Sequence, residues 1–261
     1  MAKNKETFAR TVFIVIGLCF ICSIFVSTAA VLLKPTQQEN KLLDKQKYIL
    51  EAANLIDSKS QVSKKEILAT YEKFVEAKVI NLKTGEEVAG VDGDTYDQQK
   101  VSRDPETSSK PEHDIASIKR VADNAVIYLV HDESGKLTSV ILPVHGYGLW
   151  STMYAFLAVE PDLNTVQNLV YYSQGETPGL GGEVENPKWK AKWHGKKLFD
   201  EQGNIAITVT KNPAVAETPY GVDALSGATL TSNGVQHTLT FWLGNEGFAN
   251  FIKKARNGGL S

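Results

Sequence analysis

The stretch Val126–Tyr172, VIYLVHDESGKLTSVILPVHGYGLWSTMYAFLAVEPDLNTVQNLVYY, decides the fold class. Val126–Val130 and Val140–Leu142 are short runs rich in β-branched and large apolar residues. The turn-forming Asp132–Gly135 between them predicts a hairpin. Tyr154–Val159 and Val166–Tyr172 predict a second hairpin, joined through Pro161, Asp162, Leu163 and Asn164. Downstream, Trp189 and Trp193 mark a helix, and Ile205–Val209 alternates like a strand. A last helix runs from Thr231 with Val235, Leu239, Trp242 and Leu243 on one face. Gly244 and Gly247 interrupt that helix before Phe248–Ile252. Upstream, Ser63 with Glu66 forms a capping box, and Ile67, Leu68, Tyr71, Phe74 and Val75 follow at helical spacing. Val79–Leu82, the turn at Thr84 and Gly85, and Val88 with Ala89 predict a small hairpin. Helices and strands are mixed without strict alternation, which predicts an α+β fold.

Further toward the N-terminus, Thr11–Leu33 is 23 residues long and carries no charge. At ~1.5 Å per residue such a helix spans about 35 Å, enough for a hydrocarbon core of about 30 Å. The competing reading is a cleaved signal peptide, with Ser27, Thr28 and Ala29 as the small-residue site. The uncharged run exceeds the usual length of a signal-peptide apolar core, so a retained single-pass helix over 11–33 is expected. Lys3, Lys5 and Arg10 precede it against one Glu6, and only Lys34 follows closely. That asymmetry predicts a cytoplasmic segment 1–10 and an outer, periplasmic domain beyond the membrane. Residues 34–62 are polar with helical spacing at Leu42, Leu43, Ile49, Ala53 and Ile56, and are expected to connect the anchor to a folded domain over 63–261. Residues 92–114, rich in Asp, Ser, Thr, Pro and Glu, are expected to form a solvated surface excursion without a metal.

The whole chain of 261 residues has 28 Lys+Arg against 30 Asp+Glu, a net charge of −2. No basic cluster supplies the electrostatic footprint of nucleic-acid binding. The two cysteines, Cys19 and Cys22, both fall inside the apolar run, which leaves no disulfide framework or thiolate metal site in the outer domain. His113, His131, His145, His194 and His237 have no ligand spacing; His145 stands out only because it abuts a glycine loop. No nucleophile–base motif supports a hydrolase.

Three glycine-rich loops carry the functional signal. They are Gly146-Tyr-Gly-Leu-Trp150, Glu176-Thr-Pro-Gly-Leu-Gly-Gly-Glu183 and Asp223-Ala-Leu-Ser-Gly-Ala-Thr229. Each alone reads equally as a turn or a plain helix cap. Together they describe a cleft where backbone approaches a flat, phosphate-bearing molecule. Leu149, Trp150 and Leu180 would be its apolar walls, and Glu176, Thr177 and Lys211 its polar handles. Ser226 and Thr229 stand just ahead of the last helix, where unpaired N–H groups and the helix dipole favour a phosphate. The loops form neither a P-loop nor a dinucleotide fingerprint.

The Asp223–Thr229 segment resembles the flavinylation motif of the FMN-binding domain family, in which the closing threonine carries FMN through a phosphoester bond. With the Gly146–Trp150 and Glu176–Gly181 loops and the N-terminal span, the whole chain is similar to the C subunits of bacterial sodium-translocating NADH:quinone oxidoreductases. The G subunits of Rnf-type complexes share the flavinylation motif and are the alternative relatives; an anchored binding module without flavin is the alternative function. The resemblance implies covalent FMN at Thr229, with Ser226, Gly227 and Ala228 completing the recognition loop. It also implies that Leu149, Trp150 and the loop Glu176, Thr177, Leu180, Gly181 border the ring. No catalytic residue or metal site is implied. An electron relay in the inner membrane is implied, working with the other subunits of an NADH-oxidising, ubiquinone-reducing sodium pump. A separate flavin transferase, using FAD and magnesium, would make the bond.

Overall fold

A computed structural model describes residues 7–57 and 62–258. Lys3, Lys5, Glu6 and part of the expected connector lie outside these residues. The chain divides into two compact units, Met1–Lys45 and Gln46–Ser261. Helix α1, Phe8–Ala52, holds the whole apolar run and is long and apolar enough to cross a membrane. Its apolar side chains, among them Phe13, Phe20, Phe25 and Leu32, are exposed, as a lipid-facing surface requires. The anchor and connector, read from sequence as separate segments, form one continuous helix through Pro35. Pro35 lacks an N–H, but it sits at the edge of the apolar run, where the unpaired carbonyl one turn back can reach solvent.

The second unit starts with the last turns of α1, earlier than the expected boundary at residue 63. Ile49, Leu50 and Ala52 have no solvent exposure at all. Helix α2, Lys64–Phe74, opens on the expected cap: the Ser63 side chain accepts from the Glu66 N–H at 3.3 Å. The chain then passes directly into β1, Val75–Asn81, so Val75 is strand rather than helix. Strands β2 (Asn124–His131), β3 (Leu137–Tyr147), β4 (Thr152–Val159) and β5 (Val166–Ser173) complete a five-stranded antiparallel sheet in the order β1-β2-β3-β4-β5.

Both faces of this sheet are covered, which explains the continuous apolar runs in β2 and β4 where a half-solvated sheet would alternate. One face packs Ile127, Leu129, Leu142, Val144, Leu157 and Leu169 into the main core with Val235, Leu239 and Trp242 of α4, Thr229–Leu243. The other carries Tyr128, Phe156 and Tyr172. Their rings pack against one another at 4.6–6.0 Å, and Tyr48 from the end of α1 joins them at 6.1 Å. Here the end of α1 is fixed by an ion pair: Lys190 Nζ lies 2.5 Å from Glu51 Oε1, both side chains nearly buried. Lys190 ends a one-turn helix, α3 (Pro187–Lys190), beside Trp193.

Strand β3 extends past Pro143, where the sequence reading ended it. Pairing with β2 stops at Tyr128 opposite Ile141, before the missing proline N–H is needed, while pairing with β4 continues to Tyr147 opposite Thr152. The expected strand 205–209 is shorter and shifted. β6, Thr208–Thr210, pairs in parallel with β7, Gly221–Asp223, in a separate two-stranded sheet. After Gly244 the chain turns into α5, Ala249–Gly258. Residues 92–114 are mostly exposed but anchored: Tyr71 Oη donates to Asp94 at 2.7 Å and Tyr96 Oη to the Asn124 carbonyl at 3.1 Å.

His145, singled out beside its glycine loop, is a core aromatic. Its ring stacks on Tyr154 at 5.3 Å and meets Trp242 at 5.0 Å, while its carbonyl accepts from Trp242 Nε1 at 2.7 Å. Burial pushes the imidazole down to about 4, against a smaller opposing pull from Asp114. The unfolded chain then binds a proton below its ordinary value of about 6.5 that the folded chain refuses, so stability falls as pH drops from there toward 4. Thermal unfolding of the purified protein across pH 4–7 is expected to show this slope, and His145→Phe is expected to flatten it.

Candidate flavin site

The three glycine loops converge because α4 lies very close to β3. A Cβ on Gly234 would stand 2.5 Å from the Tyr147 carbonyl, and one on Gly146 would overlap the Thr238 hydroxyl. Only glycine at both positions lets helix and strand approach this closely. The approach brings the α4 N-terminus beside the Gly148–Ser151 turn.

Glu176, at the end of β5, joins the loops. Its Oε1 accepts from the backbone N–H groups of Leu149, Trp150 and Ser151 at 3.0, 2.9 and 3.3 Å. Its Oε2 accepts from the Thr231 hydroxyl at 2.6 Å. Burial acts to raise the Glu176 carboxyl. The Thr231 hydroxyl and the three amides outweigh it and hold the group below the usual carboxylate range. Glu176 is only 5% exposed, and both oxygens are occupied by protein donors. The handle inferred from sequence is thus a brace between loops.

Thr229 is the first residue of α4, with its side chain at the surface. The preceding Ala228 offers no side-chain cap, so the helix start presents N–H groups without one. Ser232, one turn in, ties the loop down: its hydroxyl accepts from the Leu225 N–H at 3.0 Å and donates to the Ala228 carbonyl at 2.9 Å. Gly227 takes φ +72°, which turns the chain into the helix. Lys211, just after β6, donates from Nζ to the Thr229 hydroxyl at 2.6 Å. β7 sets the other end of the segment, where the Asp223 carbonyl accepts from Trp189 Nε1 at 2.8 Å.

Around Thr229 lie exposed apolar side chains. Trp150 is 65% exposed, Leu180 44% and Leu149 38%. Leu180 borders the flavinylation-like loop, since a Cβ on Gly227 would come within 3.1 Å of it. Leu230, 58% exposed, belongs to this set and was missed from sequence; only its place directly after Thr229 could have marked it. Thr177 contributes backbone: its carbonyl accepts from Leu180 and Gly182. Ser226 is exposed in the turn before α4.

Comparison with known proteins supplies the identity. Residues 148–244 match the FMN-binding domain family. The C subunit of the Na(+)-translocating NADH-quinone reductase of Vibrio anguillarum is 53% identical over 264 residues, covering 100% of both chains. That of Yersinia pestis is 46% identical, covering 99% of this chain and 97% of the relative. The chain belongs to the NqrC family, the C subunits of Na(+)-translocating NADH-quinone reductases. The crystal structure of Shewanella oneidensis NqrC superposes with a TM-score of 0.77 at 41% identity, covering 84% of this chain and 100% of that one. The crystal structure of the corresponding protein from Parabacteroides distasonis gives 0.65 at 28% identity, covering 84% of this chain and 96% of that one. The matched domain begins at Gly148 and ends at Gly244, so it contains all the loops just described except the Gly146–Tyr147 edge of the first.

The residues present suit FMN. An ammonium and an uncapped helix start face the phosphate position, and exposed apolar side chains offer a ring surface. Gly181 is the tightest point, because a Cβ there would stand 2.5 Å from Thr231 Oγ1 and 2.7 Å from Glu176 Oε2. Gly181→Ala is expected to cost about 1–3 kcal/mol by forcing the brace apart, measured by thermal unfolding of the purified protein.

Proposed function

We propose that this chain is an electron-relay subunit whose FMN is joined through its phosphate to the Thr229 hydroxyl. The observation that supports this most strongly is the Thr229 environment. A surface hydroxyl at the first position of a helix without a side-chain cap receives a hydrogen bond from an ammonium. Bound FMN supplies reversible electron acceptance and donation. The protein's own residues supply placement. Lys211 and the α4 N-terminus balance the phosphoester charge, while Gly227 and Ser232 fix the loop that presents Thr229. Leu149, Trp150, Leu180 and Leu230 give the ring an apolar bed. Thr177 shapes the loop carrying Leu180, and Ser226 and Ala228 complete the segment that a flavin transferase would recognise.

The relatives' name places such a subunit in a membrane complex that couples NADH oxidation and quinone reduction to Na+ translocation. In this reading the chain works with the other subunits, is anchored in the inner membrane by α1, and holds its flavin domain on the periplasmic side. Electrons reach it from cofactors of neighbouring subunits and leave to another flavin. It is part of an enzyme and performs no complete reaction alone.

The test is flavin fluorescence of the denatured protein on a gel, with peptide mass spectrometry, after production in cells containing a flavin transferase. Wild-type protein is expected to fluoresce and to carry FMN on the Thr229 peptide. Thr229→Leu is expected to be dark, and Ser226→Ala to retain at least part of the signal. A dark wild-type band means a binding module without flavin; a fluorescent Thr229→Leu protein moves the attachment elsewhere. Lys211→Met is expected to slow flavin loading, read as fluorescence against time, without changing the modified peptide.

A further inference from the structure

We infer that Glu176 is a positioning residue for the flavin loops, and that its fixed negative charge biases the bound flavin toward its oxidised form. The inference deepens the reading above and rests on FMN being bound at Thr229.

The positioning half follows from geometry. Three consecutive amides, from Leu149 to Ser151, point at one carboxylate oxygen, and the hydroxyl of Thr231, itself 1% exposed, points at the other. The two walls of the site, carrying Leu149 and Trp150 on one side and α4 with Thr229 on the other, are therefore fixed to one group. The surrounding sequence makes room for it. A Cβ on Gly148 would lie 2.6 Å from Glu176 Oε1, and one on Gly181 2.7 Å from Oε2. Glycine at both positions accommodates the carboxylate as well as the turns.

The electrostatic half follows from what the brace lacks. Among the described residues no lysine or arginine forms an ion pair with Glu176. Its charge is stabilised by dipoles alone, so a net negative charge remains immediately behind the Leu149–Trp150 wall. Electrons entering a flavin without matching protons add negative charge to the ring. A nearby anion shielded from water opposes that addition, which lowers the reduction potential.

Glu176→Gln separates the two halves. The glutamine Oε1 can accept from the three amides, and its Nε2 can donate to Thr231, whose hydroxyl can turn to accept. The brace survives and the charge is gone. Glu176→Ala removes both. The full-length chain, flavin-loaded and purified in detergent, is followed by redox titration and by hydrogen exchange of the peptide spanning Leu149–Ser151. Glu176→Gln is expected to keep the exchange protection and flavin content of wild type and to shift the midpoint potential to more positive values. Glu176→Ala is expected to exchange these amides about tenfold faster or more, as loss of hydrogen bonds to a charged group implies. An unchanged or more negative potential in Glu176→Gln overturns the electrostatic role. Unchanged protection in Glu176→Ala overturns the brace. A wild-type chain without flavin at Thr229 overturns the parent reading instead, while the exchange measurement still decides the brace.

Discussion

The close contact between α4 and β3 is the constraint on which the site depends. Glycine at positions 146 and 234 brings helix backbone against strand backbone, and Trp242 anchors the far end by burying its ring and donating to the His145 carbonyl. With these fixed, the start of α4 can emerge only at the end of β3, beside the Gly148–Ser151 turn. The loop after β5 enters the same space because β5 lies next to β4 in the sheet. Three loops distant in sequence thus meet through sheet order and one close approach of helix to strand. Glu176 then locks the meeting point, and a charged brace costs little because each of its oxygens has protein donors.

The folded unit also takes in the end of α1. Its last turns supply Ile49 and Leu50 to the core, and Tyr48 to the aromatic cluster on the sheet face away from α4. Glu51 pairs with Lys190, the neighbour of Trp189, whose indole donates to the Asp223 carbonyl at the start of the Thr229 loop. A short run of direct contacts therefore joins the end of α1 to the flavinylation-like segment. Removing Glu51 alone would leave Lys190 nearly buried and unpaired there, and such losses are among the more damaging single changes.

What the sequence made legible follows from how local each signal is. The Ser63–Glu66 cap needs four residues, and the Asp132–Gly135 turn is closed by Asp132 accepting from Ser134 and Lys136; both appear as expected. The glycine loops were visible as composition, and their convergence follows from the α+β topology. Other features were hidden because they depend on distant partners. Continuous apolar runs in β2 and β4 reveal burial but not which helix covers each face. Pro143 argues against a strand until pairing is known to be one-sided at that point. Glu176 looked like a ligand group because an acidic residue in a glycine loop usually faces outward; only the amides of residues 149–151, brought in by another hairpin, turn it inward. The junction of α1 with the folded unit was equally obscure, since Leu42, Leu43 and Ile49 share one periodicity while only Ile49 reaches the core.

The exposure of the Thr229 surroundings bears on why a covalent bond would suit this site. A relay has to offer its redox ring to partners at short range, so a deep pocket that binds by enclosure works against it. The apolar bed here is shallow: Trp150 and Leu230 are more than half exposed, and burial of a ring on such a surface yields only part of the free energy that full enclosure would. Affinity would also change with redox state, because the charge of the ring changes while Glu176 stays fixed. A bond to Thr229 removes affinity from the problem. The surface can then remain open and the electrostatics can be set for potential, with retention left to the phosphoester.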